Sequence, residues 1–280
     1  MLDQFDEFIL ELIFIHLDRR DLITLMTLNK RLLESSERLF WRCTILSKRR
    51  DYEVLKLNIK RVSKFIRTLS IPTGSKFKNI EFLLKTSRQM KGLLHLDVKE
   101  AHLPRNYFNI ITLRCPALRS INLSRTDVTD NCLYLISMNC KNIQKLELLD
   151  CNMCSNSGLQ YLEYTNITYL SLSSSKFTAA LLQSLPTQLK TLKADRIGRI
   201  KPSFLHNMPS TLRIIRLSGT YLCDYGISKI FKTCLQLEEF YISRGYEWHP
   251  LGYCRQKSLS QEQIEYYLDL IPSLKLIEQD

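Results

Sequence analysis

The chain has 280 residues, of which 45% are hydrophobic and 24% charged, a composition that can bury a continuous core and is not that of a disordered segment. Charge interrupts every apolar stretch before the roughly 18–20 residues of a membrane span, and Met1-Leu2-Asp3-Gln4 has no positive leader, so no membrane partner is expected and residence in the cytoplasm, the nucleus or both is. The net charge of +12 is uneven: residues 48–92 hold 13 Lys/Arg against three Asp/Glu, while residues 1–47 hold six against eight.

Residues 5–17 predict a helix with two apolar stripes, Phe5, Phe8, Ile9, Leu12 and Ile13 on one and Leu10, Phe14 and Leu17 on the other. The acidic residues Asp3, Glu7 and Glu11 are left a narrow strip, so this helix needs cover on two sides. Asp18 then stands as an N-cap with Asp21 in the first turn, Leu22, Leu25, Met26, Leu28, Leu32 and Leu33 form a second helical pattern, and Phe40-Trp41 close the module. A module this short has too small a core to stand alone. Its surplus apolar surface must be covered by the rest of the chain, by a second protein, or by both.

The run from Ile13 to Leu22, then Leu28-Asn29-Lys30-Arg31-Leu32, then Phe40-Trp41, resembles an F-box. The opening Leu-Pro of that motif is Phe5-Asp6 here, and the Trp of its middle helix is Leu32. The resemblance implies docking of a small acidic adaptor of the Skp family, and through it a cullin scaffold and a RING subunit. It places Phe8, Ile9, Leu12, Ile13, Phe14, Leu17, Leu22, Leu25, Leu28, Leu32 and Trp41 at the adaptor contact. The competing reading of residues 1–47 is a helical cap on the structure that follows.

The basic stretch 48–65 reads as a helical linker, with Lys48, Arg49, Arg50, Lys56, Lys60, Arg61 and Lys64 forming either a solvated face or an attraction for acidic partners. From residue 66 one apolar phrase recurs, beginning at Ile66, Leu93, Leu118, Ile143, Ile167, Leu189, Leu212 and Leu237, at intervals of 27, 25, 25, 24, 22, 23 and 25. That period fits one strand, one return helix and two turns, the unit of a leucine-rich-repeat solenoid. Cys140-x-x-Ile143-x-x-Leu146-x-Leu148-x-x-Cys151 resembles the cysteine-containing subclass of such repeats. The strand period of two sends Ile121 and Leu123 inward and leaves Ser120 and Asn122 on the concave wall. The same register puts Tyr169, Lys193, Arg216 and Tyr241 there as the strongest candidates for holding a protein substrate, since aromatic and cationic groups anchor peptides and phosphates.

After Ile242 the period fails, and residues 244–258 read as an aromatic and basic loop in which Tyr246 and Trp248 are further substrate contacts or a cap on the last strand. Cys151-x-x-Cys154 lacks a second ligand pair, so no metal is expected, and neither a phosphate-binding glycine loop nor a nucleophile motif occurs. No cofactor and no catalysis by this chain are expected. The fold expected is α/β: a three-helix F-box over 1–47, a helical linker over 48–65, and a right-handed α/β leucine-rich-repeat horseshoe over 66–280. The function implied is substrate recognition in an SCF-type ubiquitin ligase. The alternative is a scaffold outside any ligase that binds acidic or phosphorylated partners or RNA, although nucleic acid is not the partner expected first.

Overall fold

The computed structural model describes residues 6–71, 90–101, 105–173, 176–242, 246–249, 252–255 and 260–279. Three helices come first, α1 (Glu7–Phe14), α2 (Arg19–Met26) and α3 (Lys30–Arg42). The Asp18 carboxylate accepts from the backbone N–H groups of Arg20 and Asp21 at 2.7 and 2.9 Å, which starts α2. The second apolar pattern of the sequence is divided in the structure. Asn29 accepts from the Leu32 N–H at 2.8 Å and caps α3, so the chain breaks at residues 27–29 where hydrophobic spacing alone runs on.

A ten-stranded parallel sheet makes up the rest of the scaffold. Its strands in order are β1 (Cys43–Ile45), β2 (Thr68–Ser70), β3 (His95–Asp97), β4 (Ser120–Asn122), β5 (Lys145–Leu149), β6 (Tyr169–Ser173), β7 (Thr191–Asp195), β9 (Ile214–Leu217), β11 (Glu239–Ile242) and β14 (Leu276–Gln279). The two-residue strands β8 (Arg199–Ile200) and β10 (Tyr221–Leu222) pair with each other, and β12 (Tyr246–His249) pairs antiparallel with β13 (Gly252–Arg255). Strand β1 was not legible as part of the repeat. It pairs with β2 across Cys43–Thr68, Thr44–Leu69 and Ile45–Ser70, so the solenoid begins inside the segment assigned from sequence to the helical module.

Each recurring phrase delivers one strand, and the aligned inward residues Leu69, Leu96, Ile121, Leu146, Leu170, Leu192, Ile215 and Phe240 are all buried. The return segments are less uniform than the period suggests. Repeats of 24–25 residues carry α-helical turns, as in α5 (Arg105–Arg114), α6 (Asp130–Asn139), α7 (Asn156–Leu159) and α8 (Asp224–Thr233). The 24-residue repeat keeps only the four-residue α7, and the repeats of 22 and 23 residues that start at Ile167 and Leu189 have only 3₁₀ turns, Ala179–Gln183 and Pro202–Leu205, because the shortened return leaves no room for a ten-residue helix. Helix α4 (Arg49–Val62) covers the first repeat with Tyr52, Leu55, Ile59 and Val62, and α9 (Gln261–Leu270) precedes the last strand with Tyr267 buried.

A second ladder runs along the turns that follow the strands. Glu100, Arg125, Asp150, Arg196 and Gly219 all have positive φ, between 55° and 67°, at equivalent places in successive repeats. There the N–H groups of Glu100, Arg125 and Arg196 donate to the carbonyls of Ser124, Leu149 and Ser218 in the next repeat at 2.7–2.9 Å. Arg125 also bridges its neighbours, with Nη1 2.9 Å from Glu100 and Nε 3.3 Å from Asp150.

Candidate functional site

The apolar stripes of α1 meet different fates. Leu10 and Phe14, one turn apart, turn inward and form a small core with Leu22 and Leu32, against which Leu17, Leu25, Leu39 and Phe40 are partly buried. The other stripe has no such cover among the described residues: Phe8 is 68% and Leu12 54% exposed, and Ile9, Ile13 and Ile15 are exposed beside them. Ile23 on α2 and Leu28 in the turn after it are exposed as well. The set of eleven residues proposed from sequence therefore splits. Phe8, Ile9, Leu12, Ile13 and Leu28 are surface, Leu17 and Leu25 are half-buried, and Phe14, Leu22, Leu32 and Trp41 are buried and offer no free face for an adaptor.

Trp41 belongs to the core of the solenoid instead, with Leu46 and Tyr52, and its ring stands edge-on to Phe40 at 5.2 Å. It thereby joins the module to the repeats. Within the module, Glu11 on α1 and Arg38 on α3 form a 2.6 Å ion pair.

The open face of the sheet brings together the four residues singled out from the strand register. Lys193, Arg216 and Tyr241 form one row across β7, β9 and β11. The Lys193 ammonium lies 5.5 Å from the Tyr169 ring centroid, the Lys145 ammonium lies 4.7 Å from the same ring, and the Arg216 guanidinium lies 5.4 Å from the Tyr241 ring. The Tyr241 hydroxyl donates to the Glu239 carboxylate at 3.2 Å. Lys145 is paired with Glu147 at 2.6 Å, which holds its ammonium pKa above the ordinary lysine value despite partial desolvation. Lys193 and Arg216 have no carboxylate within ion-pair distance among the described residues, so two neighbouring cations face outward from a rigid sheet. Along that row the strand order places Asp97 and Glu147 before Lys193 and Arg216, with Glu278 following Tyr241 in β14.

Within the segment after Ile242 read as a loop, residues 246–249 and 252–255 pair instead as antiparallel strands, with Trp248 opposite Tyr253 in the β12–β13 register. The side chains of Tyr246 and Trp248 lie outside the described residues. The buried cysteines serve packing. Burial pushes the Cys115 thiol up to about 11 and those of Cys140 and Cys234 up to about 12. Cys151 and Cys154 donate to the carbonyls of Leu123 and Val128 at 3.0 and 3.2 Å, and no metal-ligand cluster occurs among the described residues. Cys223 differs from the buried set, being half-buried at the N-cap of α8. Arg38 and Arg42 are functional candidates that the hydrophobic spacing of α3 does not flag. They face a cleft on whose other wall lie Lys64 and Arg67, and their one-turn spacing on α3 was the available signal.

No family model matches the sequence, and no curated protein matches it. Two similar solved structures are internalins from Listeria monocytogenes str. 4b F2365. Internalin inlF shares 14% identity over 93% of this chain and 67% of that chain, with a TM-score of 0.51. Internalin C2 shares 18% identity over 78% of this chain and 82% of that chain, with a TM-score of 0.41. No described helix is long and apolar enough to cross a membrane. What the chain shares with internalin inlF is its fold, an α/β leucine-rich-repeat solenoid with a parallel sheet.

Proposed function

We propose that this chain is the substrate-recognition subunit of an SCF-type ubiquitin ligase, with a Skp-family adaptor docked on the N-terminal helices and a target protein held on the open face of the sheet. The observation that carries the reading is the uncovered stripe Phe8, Ile9, Leu12 and Ile13, on a helix whose opposite side is already buried. Covering a few hundred Å² of such surface is worth on the order of 5–10 kcal/mol before the costs of association. Catalysis then belongs to the partners, and this chain contributes proximity by holding a target lysine near the charged ubiquitin carrier.

Co-expression with a Skp-family adaptor tests the reading. A soluble complex is expected with the native chain and none with Leu12→Asp or Ile13→Asp, while circular dichroism and melting show the solenoid still folded, since both side chains are exposed. Failure of the native chain to copurify overturns the ligase reading.

A scaffold outside any ligase is the second reading, favoured by the exposed cations Arg49, Arg50, Lys56 and Lys60 along α4. Its signature is polyanion binding that weakens steeply with salt and is lost when Lys48, Arg49 and Arg50 are neutralised.

A further inference from the structure

We propose that the cleft between the helical module and the first repeat binds a small polyanion carrying two or more phosphate groups. The cleft has a volume of about 520 Å³ and is lined by four cations, Arg38, Arg42, Lys64 and Arg67, against one carboxylate, Glu11. Two cations come from successive turns of α3 and two from the segment between α4 and β2, so opposite walls supply equal shares. The walls are tied together where the Arg67 N–H donates to the Arg42 carbonyl at 3.0 Å.

The cationic groups are positioned. Arg67 Nη1 donates to the Lys64 carbonyl at 2.8 Å, and its guanidinium lies over Gly92, 2.5 Å from where a Cβ would stand. Phe65 holds the Lys64 ammonium at 4.8 Å and the Arg38 guanidinium at 5.9 Å from its ring centroid. Arg38 is engaged by Glu11, whereas Arg42 and Lys64 have no carboxylate within ion-pair distance among the described residues.

Four positive groups with a single counter-charge repel one another, and an anion bound between them removes that repulsion. Mixed guanidinium and ammonium donors suit phosphate oxygens, and the volume is that of a small-molecule site, not of a track along a chain. A ligand here would bridge α3 to the first repeat and set the angle between module and solenoid. The inference does not depend on adaptor docking.

The test uses the full chain and inorganic pyrophosphate, titrated calorimetrically and by melting at constant ionic strength. Saturable binding of one pyrophosphate per chain is expected, with a melting temperature about 5 °C or more higher at saturation. The double variant Arg42→Gln/Lys64→Gln, altered at two exposed positions, should not lower the apo melting temperature and should bind at least about tenfold more weakly. Lys232→Gln, on the exposed surface of α8, should bind like the native chain. The proposal is overturned if binding is not saturable, if sodium chloride matches the stabilisation, or if the double variant binds normally. It is also overturned if Lys232→Gln weakens binding equally, or if a phosphorylated peptide binds where pyrophosphate does not.

Discussion

Gly219 shows how much a single backbone position contributes. At φ +67° it occupies the left-handed region, and a Cβ there would also stand 3.2 Å from Cγ of Arg196, its neighbour in the turn ladder. Gly198, at φ +78°, has nothing within 4 Å of the same hypothetical atom. Gly219→Ala should therefore cost about 1–3 kcal/mol in denaturant titration and Gly198→Ala about 1 kcal/mol, and equal losses would show that the contact with Arg196 is relieved freely. None of this was visible in the sequence, because the preceding rungs are Glu100, Arg125, Asp150 and Arg196, residues that give no glycine signal for a left-handed turn. The thiols were legible, since cysteine at a strand-end position repeated every 25 residues or so reads as a small buried apolar group. Burial holds Cys115, Cys140 and Cys234 protonated well above the ordinary thiol value of 9.0. The folded state retains protons that the unfolded chain releases above pH 9, so their stabilisation is present below that pH and lost as pH rises toward 11–12. Melting temperature should fall over that range, and a Cys140→Ala/Cys234→Ala chain should show a shallower fall than the native one.

At the scale of elements, α1 is held by little more than Leu10 and Phe14, in a core separate from that of the repeats. Phe14→Ala should cost about 3–5 kcal/mol. Hydrogen exchange should show α1 and α2 losing protection while β3 to β11 keep theirs, and loss throughout the sheet would mean that the two cores act as one. The composition of α1 announced a helix with two apolar sides, but periodicity could not say which side was inward. That choice was made by Leu22 and Leu32, which reach it only after the chain has turned twice. On the sheet, the strand period alone put Tyr169, Lys193, Arg216 and Tyr241 on the open face. Their cation–aromatic contacts needed the lateral register, in which Lys193 stands beside Arg216. Charge reversal at both, Lys193→Glu with Arg216→Glu, should cost no more than about 2 kcal/mol through the lost cation–aromatic contacts and abolish capture of a target held by these cations. The bait for that capture is the full chain carrying Leu12→Asp, because deleting residues 1–47 would strip Trp41 and β1 from the solenoid core.

At the scale of the molecule the repeats form a nearly one-dimensional stack, in which every inward residue touches the repeats on either side. Leu146, fully buried at the middle of the ladder, is covered from both directions, whereas Leu69 lies beside the first strand. Leu146→Ala should cost about 2–5 kcal/mol and lower the melting of the whole stack, while unprotected fragments from one end only would show that the halves fold independently. Helix α4 and α9 with the last strand close the two ends. The sequence by itself determined the period, the strands and the residues they bury, because a side chain's direction in a strand depends only on its neighbours along the chain. Tertiary structure decided which stripe of α1 stays bare, that β1 joins the sheet, that the short repeats return through 3₁₀ turns, and that Arg38 and Arg42 face Lys64 and Arg67 across a cleft. Each of these is a meeting of segments distant along the chain, and such meetings are set by packing and register, which no local pattern encodes.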